Sequence, residues 1–255
     1  MSELAATQGC ADAQFDLGMQ YLFGRNMDQD YGAAVKWLGL SADQGHADAQ
    51  YNLGLIHARG MGVQPDDRAA LHYYRMAAEQ GNVAACYNLG LMYNNGIGVA
   101  RDDEKAVRWY RRAADQGDAD AQNNLGLMYD NGRGVKKDPD QAVALYRAAA
   151  EQNHAGAQYN LGLMHTLGIC VEQDFKKAFD LFNLSAENGD IDAQYNLGLM
   201  YFDGCSTRRN PAMAHFWWTL AAAQGHYAAA ENLTLLEATM SPRQLAAARK
   251  EADIL

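Results

Sequence analysis

The chain has 255 residues, 49% of them hydrophobic and 20% charged, which is enough to bury a real core and unlike a disordered segment. A net charge of −10, from 21 Lys+Arg against 31 Asp+Glu, argues against a binder of phosphate backbones, so no nucleic-acid partner is expected. Four cysteines are too few for a disulfide scaffold, and no apolar run approaches the roughly 18 residues of a membrane helix.

The opening residues, MSELAATQGC, contain neither a basic nor an apolar leader segment, so the chain as given is expected to be cytoplasmic. A periplasmic or secreted setting stays open if the amino terminus was trimmed. Residues 4–9 match the tail of a helix found again at residues 40–45, so 1–10 read as a partial helix, and continuation of the stack upstream stays open.

From there the sequence repeats itself. Leu-Gly occurs at Leu17-Gly18, Leu53-Gly54, Leu89-Gly90, Leu125-Gly126, Leu161-Gly162 and Leu197-Gly198, always 36 residues apart. The copies are 11–46, 47–82, 83–118, 119–154, 155–190 and 191–226, in one repeat domain covering 1–255 with no internal linker. Alanine columns run from Ala13 and from Ala34 at the same interval, marking close helix approach. A glycine inside a helix costs about 1 kcal/mol against alanine, so its recurrence implies a packing contact.

Each copy reads as two helices. In the second copy the first helix spans about Ala47 to Arg59, with Ala49, Leu53 and His57 on one face and Tyr51, Leu55 and Ala58 on the other. The second helix starts after Asp30, Asp66, Asp102, Asp138, Asp174 or Asn210, all good N-cap residues. It carries a bulky pair, Tyr73-Tyr74 in the second copy and Trp217-Trp218 in the sixth. It stops at Gly45, Gly81, Gly117, Asn153, Gly189 or Gly225, residues that accept a left-handed conformation. Residues 227–255 read as capping helices, the last opened by Ser241-Pro242 and charged at Arg243, Arg249, Lys250, Glu251 and Asp253.

The pattern Ala-x-Ala-Gln-Tyr-Asn-Leu-Gly-x-Met-Tyr, then Gly-x-Gly-Val, then Ala-x-x-Trp/Tyr-Tyr-x-x-Ala-Ala-x-Gln-Gly resembles the Sel-1-like repeat, a relative of the tetratricopeptide repeat. Residues 121–129 with Gly132-Arg133-Gly134-Val135 are a near-consensus copy. The resemblance implies an all-α, right-handed solenoid of antiparallel helix pairs whose first helices line a concave groove. It also implies a scaffold or adaptor for other proteins, bacterial when the repeats stand alone, since the fold by itself names no partner.

Signals for catalysis are weak. Gly60-Met61-Gly62, Gly96-Ile97-Gly98 and Gly132-Arg133-Gly134 resemble half of a phosphate-binding loop but follow a helix and lack the Lys-Ser/Thr, so they read as turns. His57 and His165 stand in a tyrosine column and read as packing residues. His46, His154 and His226 share the column of the caps Asn82, Asp118 and Asp190. A branch of the family linked to penicillin binding pairs cysteines seven apart in each repeat; this chain lacks that pairing. Cys170 and Cys205 lie in neighbouring loops, but free thiols are the default. No catalytic residue, metal ligand or cofactor is expected.

A binding face is easier to place. Tyr51, Tyr87, Tyr159 and Tyr195 form a column, with Asn123 in the same place, about 160° around the helix from the core leucines. Next to it stand Asn52, Asn88, Asn124, Asn160 and Asn196, whose amides suit the backbone of an extended peptide. The resemblance puts this face in the groove. The asparagines also fit a structural role, bonding an adjacent copy, and both readings stay open. Carbohydrate or cell-wall fragments are the alternative ligands, and self-association end to end stays open. Positions near the loop, such as Asn94-Asn95, Thr166-Leu167 and Phe202-Asp203, vary between copies and are where a partner would be selected. Basic residues from Arg101 to Lys137 read as a solvated face.

Overall fold

A computed structural model describes residues 3–252, and all regular structure among them is helical. Residues 253–255, with the expected charge at Asp253, and residues 1–2 lie outside this range. The chain divides into two compact units, 1–137 and 138–255. The first contains α1 (Glu3–Thr7), the pairs α2/α3 (Ala11–Phe23, Tyr31–Asp43), α4/α5 (Ala47–Arg59, Asp67–Glu79) and α6/α7 (Val83–Asn95, Asp103–Ala114), and α8 (Ala119–Asn131). The second contains α9 (Pro139–Ala150), α10/α11 (Ala155–Leu167, Phe175–Glu187), α12/α13 (Ile191–Asp203, Pro211–Ala223), α14 (Tyr227–Thr239) and α15 (Pro242–Ala252). Within each unit a helix packs on its partner and on the next pair, and α15 covers α13.

Side-chain caps set the helix starts. Asp30, Asp66, Asp102, Asp138, Asp174 and Asn210 all accept backbone N–H bonds from the first turn of their second helices. From α4 onward the first helices are capped by Asn82, Asp118 and Asp190 and, in the same register, by the Nδ1 atoms of His46, His154 and His226, whereas α2 follows Cys10, which makes no side-chain cap bond. An Nδ1 that accepts leaves the proton on Nε2. In His46 and His226 that nitrogen faces Asp12 and Asp192 at 3.5 Å, and the Asn82 amide likewise donates to Asp48 at 2.8 Å. Where the cap is itself an acid, Asp118 or Asp190, the register position of those aspartates holds Ala84 or Gly156. Two carboxylates are thereby kept apart across these junctions.

The leucine and alanine columns are buried as expected, but the other face of the first helix differs. Ala58 is exposed; the second buried column is Ile56, Met92, Met128, Met164, Met200 and Leu236. Its offset of three from Leu53 and its like gives one broad apolar stripe rather than two opposed faces.

The glycine column shows where helices touch most closely. A Cβ on Gly90 would lie 2.5 Å from the ring of Tyr110, and one on Gly54 as close to Tyr74. Leu38, Phe182 and Trp218 fill the same place against Gly18, Gly162 and Gly198. The Gly-x-Gly loops are turns. In one of them Gly98, at φ +66°, backs onto the Asp67 carbonyl, where neither the conformation nor the space admits a side chain. No disulfide joins Cys10, Cys86, Cys170 or Cys205.

Tyr110 is 1% exposed, and its hydroxyl has no hydrogen-bond partner. Burial also pushes its pKa up. A buried donor left unmade costs free energy, and the fifth copy uses Phe182 in this position. Tyr110→Phe is therefore expected to keep or raise stability, by up to about 1 kcal/mol in urea denaturation. A loss of that size would mean that the hydroxyl has a partner.

Candidate functional site

The expected binding residues sit mid-helix on the first helices: Tyr51 and Asn52 on α4, Tyr87 and Asn88 on α6, Asn123 and Asn124 on α8, Tyr159 and Asn160 on α10, Tyr195 and Asn196 on α12. The first three pairs belong to one unit and the last two to the other. The tyrosine rings are half-buried. Tyr51, Tyr87 and Tyr159 lie 5.9, 6.1 and 5.7 Å from the rings of Tyr74, Tyr110 and Phe182. Tyr195 stacks on the capping ring of His226 at 4.5 Å. Desolvation raises the pKa of Tyr51, Tyr87 and Tyr159.

The asparagines are tied into this frame. Asn52, Asn88 and Asn196 each donate to the carbonyl four residues back, at 2.7, 2.8 and 2.8 Å. Across the copies, Asn88 stands beside the Tyr51 phenol, Asn124 beside Tyr87 and Asn196 beside Tyr159, and each partly offsets the rise that burial causes in the phenol's pKa. An amide has two N–H groups, and at Asn52, Asn88 and Asn196 one of them is used within the helix. Side-chain amides and tyrosine hydroxyls are the polar groups of this face. Asn123 is buried where four other copies carry tyrosine and the first carries Phe15.

A second amide column has no counterpart among the residues singled out in the sequence. Gln14, Gln50, Gln122, Gln158 and Gln194 are buried. Gln50 donates to the Ala42 carbonyl of the preceding copy at 3.1 Å and accepts from Gln80 at 2.7 Å. Gln194 repeats both bonds with Ala186 and Gln224. Each fills an orphan carbonyl at the end of a second helix. The available signal was that Gln follows the core alanine in five copies of six. Where Cys86 replaces it, a thiol points at Ala78 O and burial raises its pKa.

His57 and His165 pack as expected, His57 stacked on Tyr73 and His165 buried beside the Glu172 carbonyl. Some of the basic residues have specific partners. Arg133 of the third Gly-x-Gly loop donates to Asp103 at 2.9 Å and to Asn94 at 2.9 Å, joining neighbouring copies at a variable position. Arg75 and Arg111 donate to the hydroxyls of Tyr93 and Tyr129. Among the described residues no cluster of three or more His, Cys, Asp or Glu could hold a metal ion, and no helix is long and apolar enough to cross a membrane.

The sequence profile of the Sel1 repeat matches residues 11–46, 47–82, 83–118, 119–154, 155–190 and 191–226. The chain belongs to the Sel1 repeat family. Its structure is similar to that of c5321, a protective antigen with an SLR fold from uropathogenic Escherichia coli, with 36% identity and a TM-score of 0.85. That match covers 97% of this chain and 53% of c5321, so the chain spans about half the length of that protein. A Sel1 repeat protein from Oxalobacter formigenes is 35% identical over 87% of this chain and 88% of its own, with a TM-score of 0.78. The immunity protein Pa5087 of Pseudomonas aeruginosa, at 23% identity, TM-score 0.50 and coverage of 84% and 81%, shares the fold alone. No match was found among curated proteins. The fold is thus an all-α solenoid of Sel1 helix pairs; proteins built this way are generally protein-interaction scaffolds, and the fold is typically non-enzymatic.

The Arg133 bridge yields a pH test. The guanidinium groups of Arg101 and Arg133 hold the Asp103 carboxyl at about 2, below its ordinary 3.8. A depressed carboxylate pKa adds stability above the unfolded value, lost as pH falls through the folded one. Arg133→Ala is expected to lower stability at pH 7 by about 1 kcal/mol, after screening at a partly exposed pair, with the gap closing between pH 4 and 2. A gap that stays constant with pH would show that the arginine acts by packing alone.

Proposed function

We propose that this Sel1 repeat protein is a non-enzymatic scaffold that holds a peptide or protein segment along the tyrosine and asparagine face of its first helices. The observation that carries the reading is the recurrence of side-chain amides and phenols at one-repeat intervals, the amides held by bonds to their own helices. A ligand meeting Asn88 and Asn196 finds both a donor and an acceptor, which suits the C=O and N–H groups of an extended backbone. The family's general role in protein interaction and the bacterial sources of its structural relatives support a bacterial adaptor. The carbohydrate alternative needs open aromatic platforms, whereas the rings of Tyr51, Tyr87 and Tyr159 are half-covered by second-helix aromatics.

A quantitative pull-down from the source organism's lysate tests the proposal. It compares the wild-type chain with the fourfold variant Tyr87→Ala, Asn88→Ala, Asn124→Ala and Tyr159→Ala, shown to be folded by circular dichroism. The expected result is a discrete protein captured by wild type and lost by the variant. Equal capture by both would place binding on another surface. Capture by neither, with melting shifts on adding glycan fragments, would favour the carbohydrate reading.

A further inference from the structure

The carboxy-terminal unit carries two cavities in repeat-equivalent places. One, of about 300 Å³, lies between α12, α13 and α14, over Trp218, with Phe202 on one wall and Leu235 on the other. The second, of about 150 Å³, lies between α10, α11 and α12 over Phe182, with Thr166 and Leu199 on its walls. A shift of 36 residues carries one onto the other: Phe182, Thr166 and Leu199 onto Trp218, Phe202 and Leu235, and Asn196, Met200 and Asp203 onto Asn232, Leu236 and Thr239. Each floor is the aromatic that the glycine column lets down onto the first helix. Thr166, Phe202 and Asp203 belong to the loop-proximal positions that vary between copies.

Three properties of these cavities define a ligand. Their linings are mainly apolar, and Leu235, 67% exposed on the rim of the larger one, is left in water without a packing role. Asp203 lines both and is the one acidic or basic side chain in either lining. Arg209 donates through Nε to the Phe202 carbonyl and lies 5.3 Å from the Phe202 ring, and among the described residues it forms no ion pair with Asp203. Finally, equivalent helices in a stack recur at roughly 10 Å, the spacing of packed helices. A polyproline II segment turns once in three residues and rises about 9 Å in doing so, which puts side chains i and i+3 on one side. A β-strand of the same reach would point them to opposite sides.

We infer that the two cavities take two apolar side chains, three residues apart, of a polyproline II peptide segment with a basic residue between them facing Asp203. The larger cavity fits an aromatic ring, and the smaller a branched aliphatic side chain. This rests on the reading of the protein as a peptide-binding scaffold and specifies which peptides it selects.

Fluorescence polarisation with labelled synthetic peptides and the full chain tests it. The probes contain Phe-Pro-Arg-Leu in both chain directions, against Phe-Arg-Leu and Phe-Pro-Arg-Pro-Leu, which shorten and lengthen the spacing by one residue, and each is flanked by the same Pro-rich segments to hold the polyproline II form. The three-residue spacing is expected to bind about 10-fold or more tightly than the other two, the scale of one apolar side chain left outside its pocket. Leu235→Glu, at an exposed position, should weaken that binding to a similar degree with the melting temperature unchanged. Asp203→Lys should turn the preference from Arg to Glu at the middle position. Binding insensitive to spacing, binding unaffected by Leu235→Glu, or no binding at all would overturn the inference. A partner lost by the fourfold Tyr/Asn variant but retained by Leu235→Glu would leave the scaffold reading standing while these pockets fall.

Discussion

The close approach of a first-helix glycine to a second-helix aromatic is the contact on which the rest of this protein depends. It fixes how deeply the two helices of a copy settle into each other, since nothing larger than hydrogen fits between Gly90 and Tyr110 or between Gly54 and Tyr74. A glycine in mid-helix weakens that helix by about 1 kcal/mol, so the packing it permits must outweigh the loss. The aromatic let down in this way forms part of the bed on which Tyr51, Tyr87 and Tyr159 lie, and the floor of both cavities in the second unit.

Bonds between copies then set the register. Buried glutamines reach back to the helix end before them and forward to the helix end of their own copy. Asn88, Asn124 and Asn196 stand beside the tyrosine of the copy before. The capping rings of His46 and His226 meet an aspartate across the junction, and the register position facing Asp118 and Asp190 holds a small neutral residue. Buried polar groups with every partner supplied favour one arrangement over near alternatives, which is how a repetitive sequence avoids slipping against itself. On the binding face, one amide N–H of Asn52, Asn88 and Asn196 is spent within the helix.

Much of this was legible in the sequence because it rests on short-range rules. The bounds of α4 follow from a cap at one end and a glycine at the other, and the start of α13 at Pro211 from its place after the cap Asn210. The glycine column announced a close approach, though not which residue approached. Other features were out of reach. Gln50 reads as surface until the carbonyl it fills is known, and Asn88 finds its phenol 37 residues away in Tyr51. The exposure of Ala58 and the burial of Ile56 turn on which side the neighbouring pair covers, and a period of 3.6 leaves that open for a helix flanked on two sides. The Tyr and Asn columns lie mid-helix on the first helices; which side chains stand beside them needed the fold.

The most direct test of the central contact is a double-mutant cycle between Gly90 and Tyr110, read as stability in urea. In the wild-type background Gly90→Ala should destabilise by about 1–3 kcal/mol, because the methyl group meets the ring. In a Tyr110→Ala background the ring is gone, and the same substitution should stabilise by up to about 1 kcal/mol through helix propensity alone. A reversal of sign would establish that this glycine exists for that aromatic. Equal effects in the two backgrounds would show that the glycine column answers to something else, and the account of how each copy is held together would fail with it.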